Sequence, residues 1–363
     1  MITNLAKFGL LFAILDCASS YAFAEERILP VLDEPIQPIP FDSSLDPAKV
    51  ALGEALFNDP RLSKNNSLSC ASCHILEAGG DDNMTIGTTI NGVPHVINTP
   101  TVFNARYNFR QHWNGAAESL PEQVDLVLRN HMEAGSNWNE LLTKLSQDAV
   151  LVSSFNEIYA EGLTRENYLD ALNTFERSLI TPNSRFDQYL LGNKAAITED
   201  EKKGYERFKE YGCISCHQGI NIGGNLFQKF GLFYDYFAER GNITTADYGR
   251  INVTNKESDL HVFKVPGLRN VEVTAPYLHD GQAETLQEAV DIMGKTQLGK
   301  TISEADIELL VMFLKTLTGE YMGQSLAVKG HTIAGANHGS DTSAKQGSTD
   351  DESSLASSGG NGS

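Results

Sequence analysis

The pattern Cys-x-x-Cys-His occurs twice in this chain, as Cys70-Ala71-Ser72-Cys73-His74 and as Cys213-Ile214-Ser215-Cys216-His217. Two thiols at this spacing add to the vinyl groups of a haem, and the imidazole that follows becomes the proximal ligand of its iron. A polypeptide that does this twice has to wrap two large planar groups, which calls for helices and long enclosing loops with little sheet. Two other uses of the cysteines compete. A thioredoxin-like redox pair requires a βαβ setting, which neither motif has. A zinc site assembled from both pairs has to bring residues 73 and 213 together, and the histidine directly after each pair counts against it. The cysteines therefore predict two covalent c-type haems.

The fifth cysteine, Cys17, lies in a segment with one basic residue (Lys7), an apolar run Phe8 to Leu15 and the small-residue site Ala22-Phe23-Ala24. This reads as a signal peptide, residues 1–24, whose removal before Glu25 discards Cys17. Lipidation at Cys17 is opposed by the bulky, acidic Asp16 before it. Export to the periplasm follows, and the cell surface is also compatible. No apolar run reaches the roughly 20 residues of a membrane span. The net charge of −19, from 28 Lys+Arg against 47 Asp+Glu, excludes nucleic acid and anionic membrane as partners and favours a cationic one. Residues 322–363 are rich in Ser, Gly, Asn and Asp, too poor in apolar side chains to offset ordering, and read as a disordered tail.

Between these ends the chain repeats itself. GEALFNDPRLSKNNSLSCASCH (53–74) and GYERFKEYGCISCH (204–217) each join a Gly-led amphipathic helix to the Cys-x-Ser-Cys-His ending, so two related domains are expected. Leu169, Leu172, Phe175 and Leu179 predict a helix over 164–180, and Pro182 marks the boundary after it. Thr198 with Glu201 and Ser303 with Asp306 are capping pairs that open later helices. Extended pieces are expected only at 93–102 and 260–265. A second axial ligand can come from Met84, Met132, Met293, Met312 or Met322, each otherwise a core filler.

LSCASCHILEAGGDD (68–82), NTPTVFNARYNFRQHWNG (98–115), FKVPGLRNVEVTAPYLHDG (263–281) and AVDIMGKTQLG (289–299) together make residues 45–320 resemble the bacterial di-haem cytochrome c peroxidases of the wider MauG/cytochrome c peroxidase superfamily. The resemblance implies a mainly α fold of two cytochrome c-like domains, 25–182 and 183–321. The first would carry a low-potential peroxidatic haem on His74, the second a high-potential electron-transfer haem on His217 and Met293. It further implies Trp113 between the haems, a calcium ion on the Asn98 side chain and the carbonyls of Thr274 and Pro276, and Gln123 and Glu133 in the peroxidatic pocket. Oxygen ligands suit calcium, and a carboxylate over the iron suits proton transfer to and from peroxide. By residue type alone, Trp113 is a core aromatic, Asn98 a turn residue and Glu133 a solvated loop carboxylate.

In most members a distal histidine follows an Ile-Gly or Val-Gly pair and blocks the peroxidatic iron until the other haem is reduced. Here the sequence reads Thr85-Ile86-Gly87-Thr88, with His95 further on, either as a substitute ligand or as an ordinary loop residue. Without a blocking histidine, the first iron is expected to be five-coordinate even when oxidised. The implied reaction is reduction of hydrogen peroxide to water by electrons from a small periplasmic cytochrome c or cupredoxin, a basic one at low salt, in a homodimer. A MauG-type oxygenase, with Tyr in place of Met293, and a non-enzymatic electron carrier with both irons six-coordinate are the rivals.

Overall fold

The computed structural model describes residues 34–328. Among them the helices are α1 (Pro47–Phe57), α2 (Leu120–Arg129), α3 (Trp138–Leu145), α4 (Ala149–Ile158), α5 (Arg165–Ser178), α6 (Arg185–Leu190), α7 (Glu199–Tyr211), α8 (Tyr236–Arg240), α9 (Ile251–Thr254), α10 (Leu286–Leu298) and α11 (Glu304–Lys315). Strand among the described residues is confined to two antiparallel pairs, β1 (Phe227–Lys229) with β2 (Val262–Lys264) and β3 (Glu320–Tyr321) with β4 (Gln324–Ser325). The expected piece at 260–265 is β2. The one at 93–102 is not a strand: Pro94 and Pro100 interrupt any ladder, and the free donors turn elsewhere, Asn98 N–H to the His279 carbonyl and Val102 N–H to the Gly80 carbonyl. The helix expected at 164–180 is α5, capped by Thr164. Thr198 and Glu201 form both halves of the capping box of α7, and Ser303 caps α11.

Each half is built on one helix crossing, and each crossing is made close by a glycine. A Cβ on Gly53 of α1 would lie 2.2 Å from the Ala171 carbonyl oxygen of α5, and one on Gly204 of α7 would lie 2.0 Å from that of Leu309 in α11. No side chain fits at either place. Leu52, Leu56, Phe57, Leu172 and Phe175 pack around the first crossing, and Phe186, Tyr205, Phe208, Phe313 and Leu314 around the second.

The ends of the described chain change partners. Ile36 is buried in the second core, where it forms an isolated bridge with Gly219 and Tyr205 donates to Glu34 at 2.6 Å. Residues 322–328, read from composition as the start of a tail, continue the β3–β4 hairpin, and Leu326 is buried in the first core while Tyr321 tilts against Phe103 at 4.9 Å. One leucine and one tyrosine with an apolar surface to cover are enough to order this stretch. The signal peptide and the tail from 329 onward lie outside the described residues.

The repeat runs further than the cysteine motifs reveal. At a constant offset of 166 residues, Pro100 matches Pro266, Asn104 matches Asn270, Trp113 matches His279, and Gly115 matches Gly281. Both asparagines adopt positive φ, 61° and 64°, as do both glycines, 67° and 63°. The isolated bridges Gln111–Ala117 and Tyr277–Ala283 correspond, and Ser119 and Thr285 cap the matched helices α2 and α10. The halves meet in reciprocal bonds: Asn98 N–H to the His279 carbonyl and Lys264 N–H to the Trp113 carbonyl, each 2.8 Å. The linker passes through the same centre, where buried Thr181 donates its N–H to Asn104 Oδ1 (2.9 Å) and its hydroxyl accepts from Asn270 (3.0 Å).

Candidate haem sites and the residues between them

Each cysteine motif forms one turn of 3-10 helix, Cys70–Ser72 and Cys213–Ser215, closed by a bond from the histidine N–H to the first cysteine carbonyl at 3.0 Å. His74 Nδ1 lies 3.1 Å from the Gly80 carbonyl oxygen and His217 Nδ1 lies 3.2 Å from that of Ile222. A carbonyl on Nδ1 fixes the proton there and leaves the Nε2 lone pair to face a metal. Burial depresses both imidazoles, His217 to about 4, so each is neutral, the form that ligates. The four thiols are half-buried and unpaired, and burial first of all pushes up those of Cys70, Cys73 and Cys213, the last to about 11. Cys70 packs on the first core and Cys213 on the second, so the shared zinc site has no common centre. Two neutral thiols and an oriented neutral imidazole in each half fit a thioether-linked haem.

The two sites differ at one matched helix position. Met293 on α10 packs with Trp113, Leu278 and Ile292 against Phe230, Tyr236, Phe237 and Phe263. Its counterpart on α2 is Val127, which has no donor atom. Of the other candidate thioethers, Met84, Met312 and Met322 are 49%, 42% and 84% exposed, while Met132 is half-buried.

Where the second half has a thioether, the first has polar groups nearby. Glu133 sits in a tight turn after α2, held by Glu133 N–H to the Asn130 carbonyl and Ala134 N–H to that of Val127. After burial, the carboxylates of Asp82 and Glu133 are what raise Cys73, so Glu133 lies near the first site. Burial raises Glu133 itself, against a hydrogen bond from Asn130. Gln123 is half-buried on α2, and its side-chain amide makes no hydrogen bond among the described residues.

Residues 87–97 form a short hairpin in which His95 N–H donates to the Gly87 carbonyl (2.7 Å) and Thr88 bridges Pro94. His95 thus stands across the hairpin from the place where a distal histidine is missing. Both of its ring nitrogens are buried without a partner among the described residues. The tip is tied to the Glu133 turn by Ile90 N–H to the Met132 carbonyl at 3.0 Å.

Trp113 donates its indole N–H to the Asn98 carbonyl at 2.9 Å and lies edge-on to His279 with ring centres 6.4 Å apart. Nothing in its own segment marks His279, although the 166-residue offset pairs it with Trp113. Its Nε2 is 2.7 Å from Asp247, and Arg240 bridges Asp247 and Asp280 at 2.7 and 3.3 Å. Asp247, His279 and Asp280 offer ligand atoms within 4.8 Å of one another, but Arg240 already balances the carboxylates, so the group is an ion-pair buttress behind Trp113.

Asn98 is buried and donates its side-chain amide to the Met84 carbonyl at 2.9 Å, leaving Oδ1 without a bond among the described residues. The carbonyls of Thr274 and Pro276 likewise accept none there. Asn83 donates to the Val273 carbonyl at 3.0 Å and to Asp81, whose carboxyl burial and neighbouring Asp82 push up to about 8. Uncommitted oxygens beside a buried acid fit a hard dication.

A sequence model of the family described as di-haem cytochrome c peroxidase matches residues 47–195. Over 290 residues the chain is 46% identical to the cytochrome c peroxidase of Escherichia coli K12, covering 80% of this chain and 62% of that longer protein. It is 39% identical over 315 residues to the cytochrome c551 peroxidase of Nitrosomonas europaea, covering 86% of this chain and 92% of the relative. Among solved structures, a MauG-like protein associated with microbial copper homeostasis superposes with a TM-score of 0.69 at 26% identity, over 84% of this chain and 96% of that one.

Proposed function

The chain belongs to the di-haem cytochrome c peroxidase family, and from that membership we propose that it is an exported peroxidase that reduces hydrogen peroxide to two waters with electrons from a small cytochrome c or cupredoxin. The two halves, 25–182 and 183–321, would each enclose one c-type haem, held by Cys70, Cys73 and His74 and by Cys213, Cys216, His217 and Met293. The observation that carries this reading is the broken symmetry of the repeat: Met293 on one side, Val127 with Glu133 on the other. A sulfur ligand suits relay, and an iron without one suits peroxide.

Bound haem would supply the iron at which the O–O bond breaks and the store for electrons. Glu133 would take a proton from one peroxide oxygen and return it to the other, which leaves as water, while Gln123 would orient the peroxide with its free amide. Trp113, fixed by Asn98 and His279, fills the gap between the halves along which electrons pass. Met293, with no tyrosine in its place, favours the peroxidase over the MauG-type reading. Stopped-flow turnover with hydrogen peroxide and reduced cytochrome c, alongside a count of two covalent haems per chain, tests the proposal; one haem or no turnover defeats it.

We infer that His95, and not an open face, completes the first iron in the oxidised protein. Two buried, unpartnered nitrogens are costly, about 1–3 kcal/mol for a lone buried polar group, and an iron relieves one of them. The oxidised protein is therefore expected to show two low-spin haems and a lag abolished by prior reduction. In His95→Ala the His74 haem should become high-spin and the lag should vanish. An oxidised wild type already half high-spin refutes this.

The Asn98, Thr274 and Pro276 oxygens are assigned to calcium. Adding calcium at a hundred times its dissociation constant should stabilise the protein by about 2.7 kcal/mol, read as a rise in melting temperature that Asn98→Ala removes.

A further inference from the structure

Lys264 ends β2 and is only 8% exposed. Its backbone N–H is committed to the Trp113 carbonyl, but its ammonium makes no ion pair or hydrogen bond among the described residues. A buried ammonium without a counter-charge is strongly disfavoured, and burial alone presses this one down to about 8.

The side chain lines a cavity of about 50 Å³, room for one small group. Pro100 and Pro266 both line it, and these are the residues whose backbone carbonyls also reach His74 and His217. The cavity therefore lies between the two haem sites. His112 lines it too, and its Nε2 is buried without a partner. At the 166-residue offset Lys264 is the counterpart of Asn98, and Asn108 on the same wall is the counterpart of Thr274. In one half this place is assigned to calcium; in the other a lysine supplies the positive charge.

No carboxylate of the described chain reaches the ammonium, so its counter-charge has to come from a bound group, and the haems each carry two carboxylates. We propose that the Lys264 ammonium, together with the His112 ring N–H, is the counter-ion of a haem propionate in this cavity. The pairing rests on the two-haem reading above. A fixed cation at a haem edge favours the ferrous state, so Lys264 sets the potential of the haem it touches.

Lys264→Met and Lys264→Arg, each first assayed for covalent haem, test this by equilibrium redox titration followed in the visible spectrum. In Lys264→Met one haem should show a reduced-to-oxidised ratio about tenfold lower at fixed potential, about 59 mV for one electron, with Arg restoring most of it. Unchanged potentials at both haems in Lys264→Met overturn the proposal. If that variant does not fold, redox-difference infrared spectra of the wild-type holoprotein, made with haem carrying ¹³C at the propionate carboxyls, decide it at pH 7. Labelled carboxylate bands alone are expected, and a labelled protonated-acid band overturns it. Fewer than two haems per wild-type chain defeats the two-haem reading itself, a failure separate from unchanged potentials.

Discussion

Glu133→Gln should lower kcat for peroxide reduction by about 10²- to 10⁴-fold, the usual worth of a positioned acid-base group. The substitution keeps shape and removes only the ionisable carboxyl, so haem content and the spectrum of the His217 haem should not change. The turn that holds Glu133 depends on backbone bonds to Asn130 and Val127, which the change leaves intact. The pH profile gives a second reading. Burial raises this carboxyl above its ordinary value of 4.5, and it has to be ionised to take a proton from peroxide. Wild-type kcat/KM should therefore climb as pH rises through that raised pKa, and the climb should be missing in Glu133→Gln. Turnover that survives the substitution, with the same acid limb, would assign the proton transfer elsewhere.

Glu176→Gln should stabilise the protein at neutral pH. Glu176 lies in α5 next to Phe175 of the first core, buried, with Oε2 lacking any partner among the described residues. Burial pushes its pKa from 4.5 up to about 8. Between those values the unfolded chain releases a proton that the folded chain retains, so stability falls as pH rises from about 4.5 to about 8. At pH 7 the two and a half units already traversed correspond to about 3 kcal/mol, which the neutral glutamine does not lose. Denaturant titrations at pH 5 and pH 7 should show the variant's advantage small at the first and near this figure at the second. An equal advantage at both would mean that packing, and not ionisation, separates the two side chains.

Much of this architecture could be read from the sequence because its signals are local. Thr164, Thr198 and Ser303 cap helices within a few residues of themselves, and two cysteines with a histidine declare their chemistry in five. Gly53 and Gly204 were visible only as the first letters of similar segments. Their purpose, letting two helix backbones touch, belongs to residues more than a hundred positions away. The failed strand at 93–102 has the same origin, since its donors are taken by Gly80 and His279, which no alternation of side chains foretells. Trp113 was legible through its motif, but His279, its partner in the repeat, looked like any buried histidine. Lys264 was hidden for another reason: lysine is ordinarily a solvent residue, and only burial without an acid makes it informative.

The exchanged ends bind the two halves by mutual custody. The stretch around Ile36 opens the first half yet plugs the second, while Leu326 follows the second half and plugs the first. Scission at the Pro182 linker would not yield two free-standing modules; each fragment would lose a stopper and expose the socket that received it. Loosening either end, by proteolysis or by a binding partner that competes for it, would then disturb the far haem pocket before the near one.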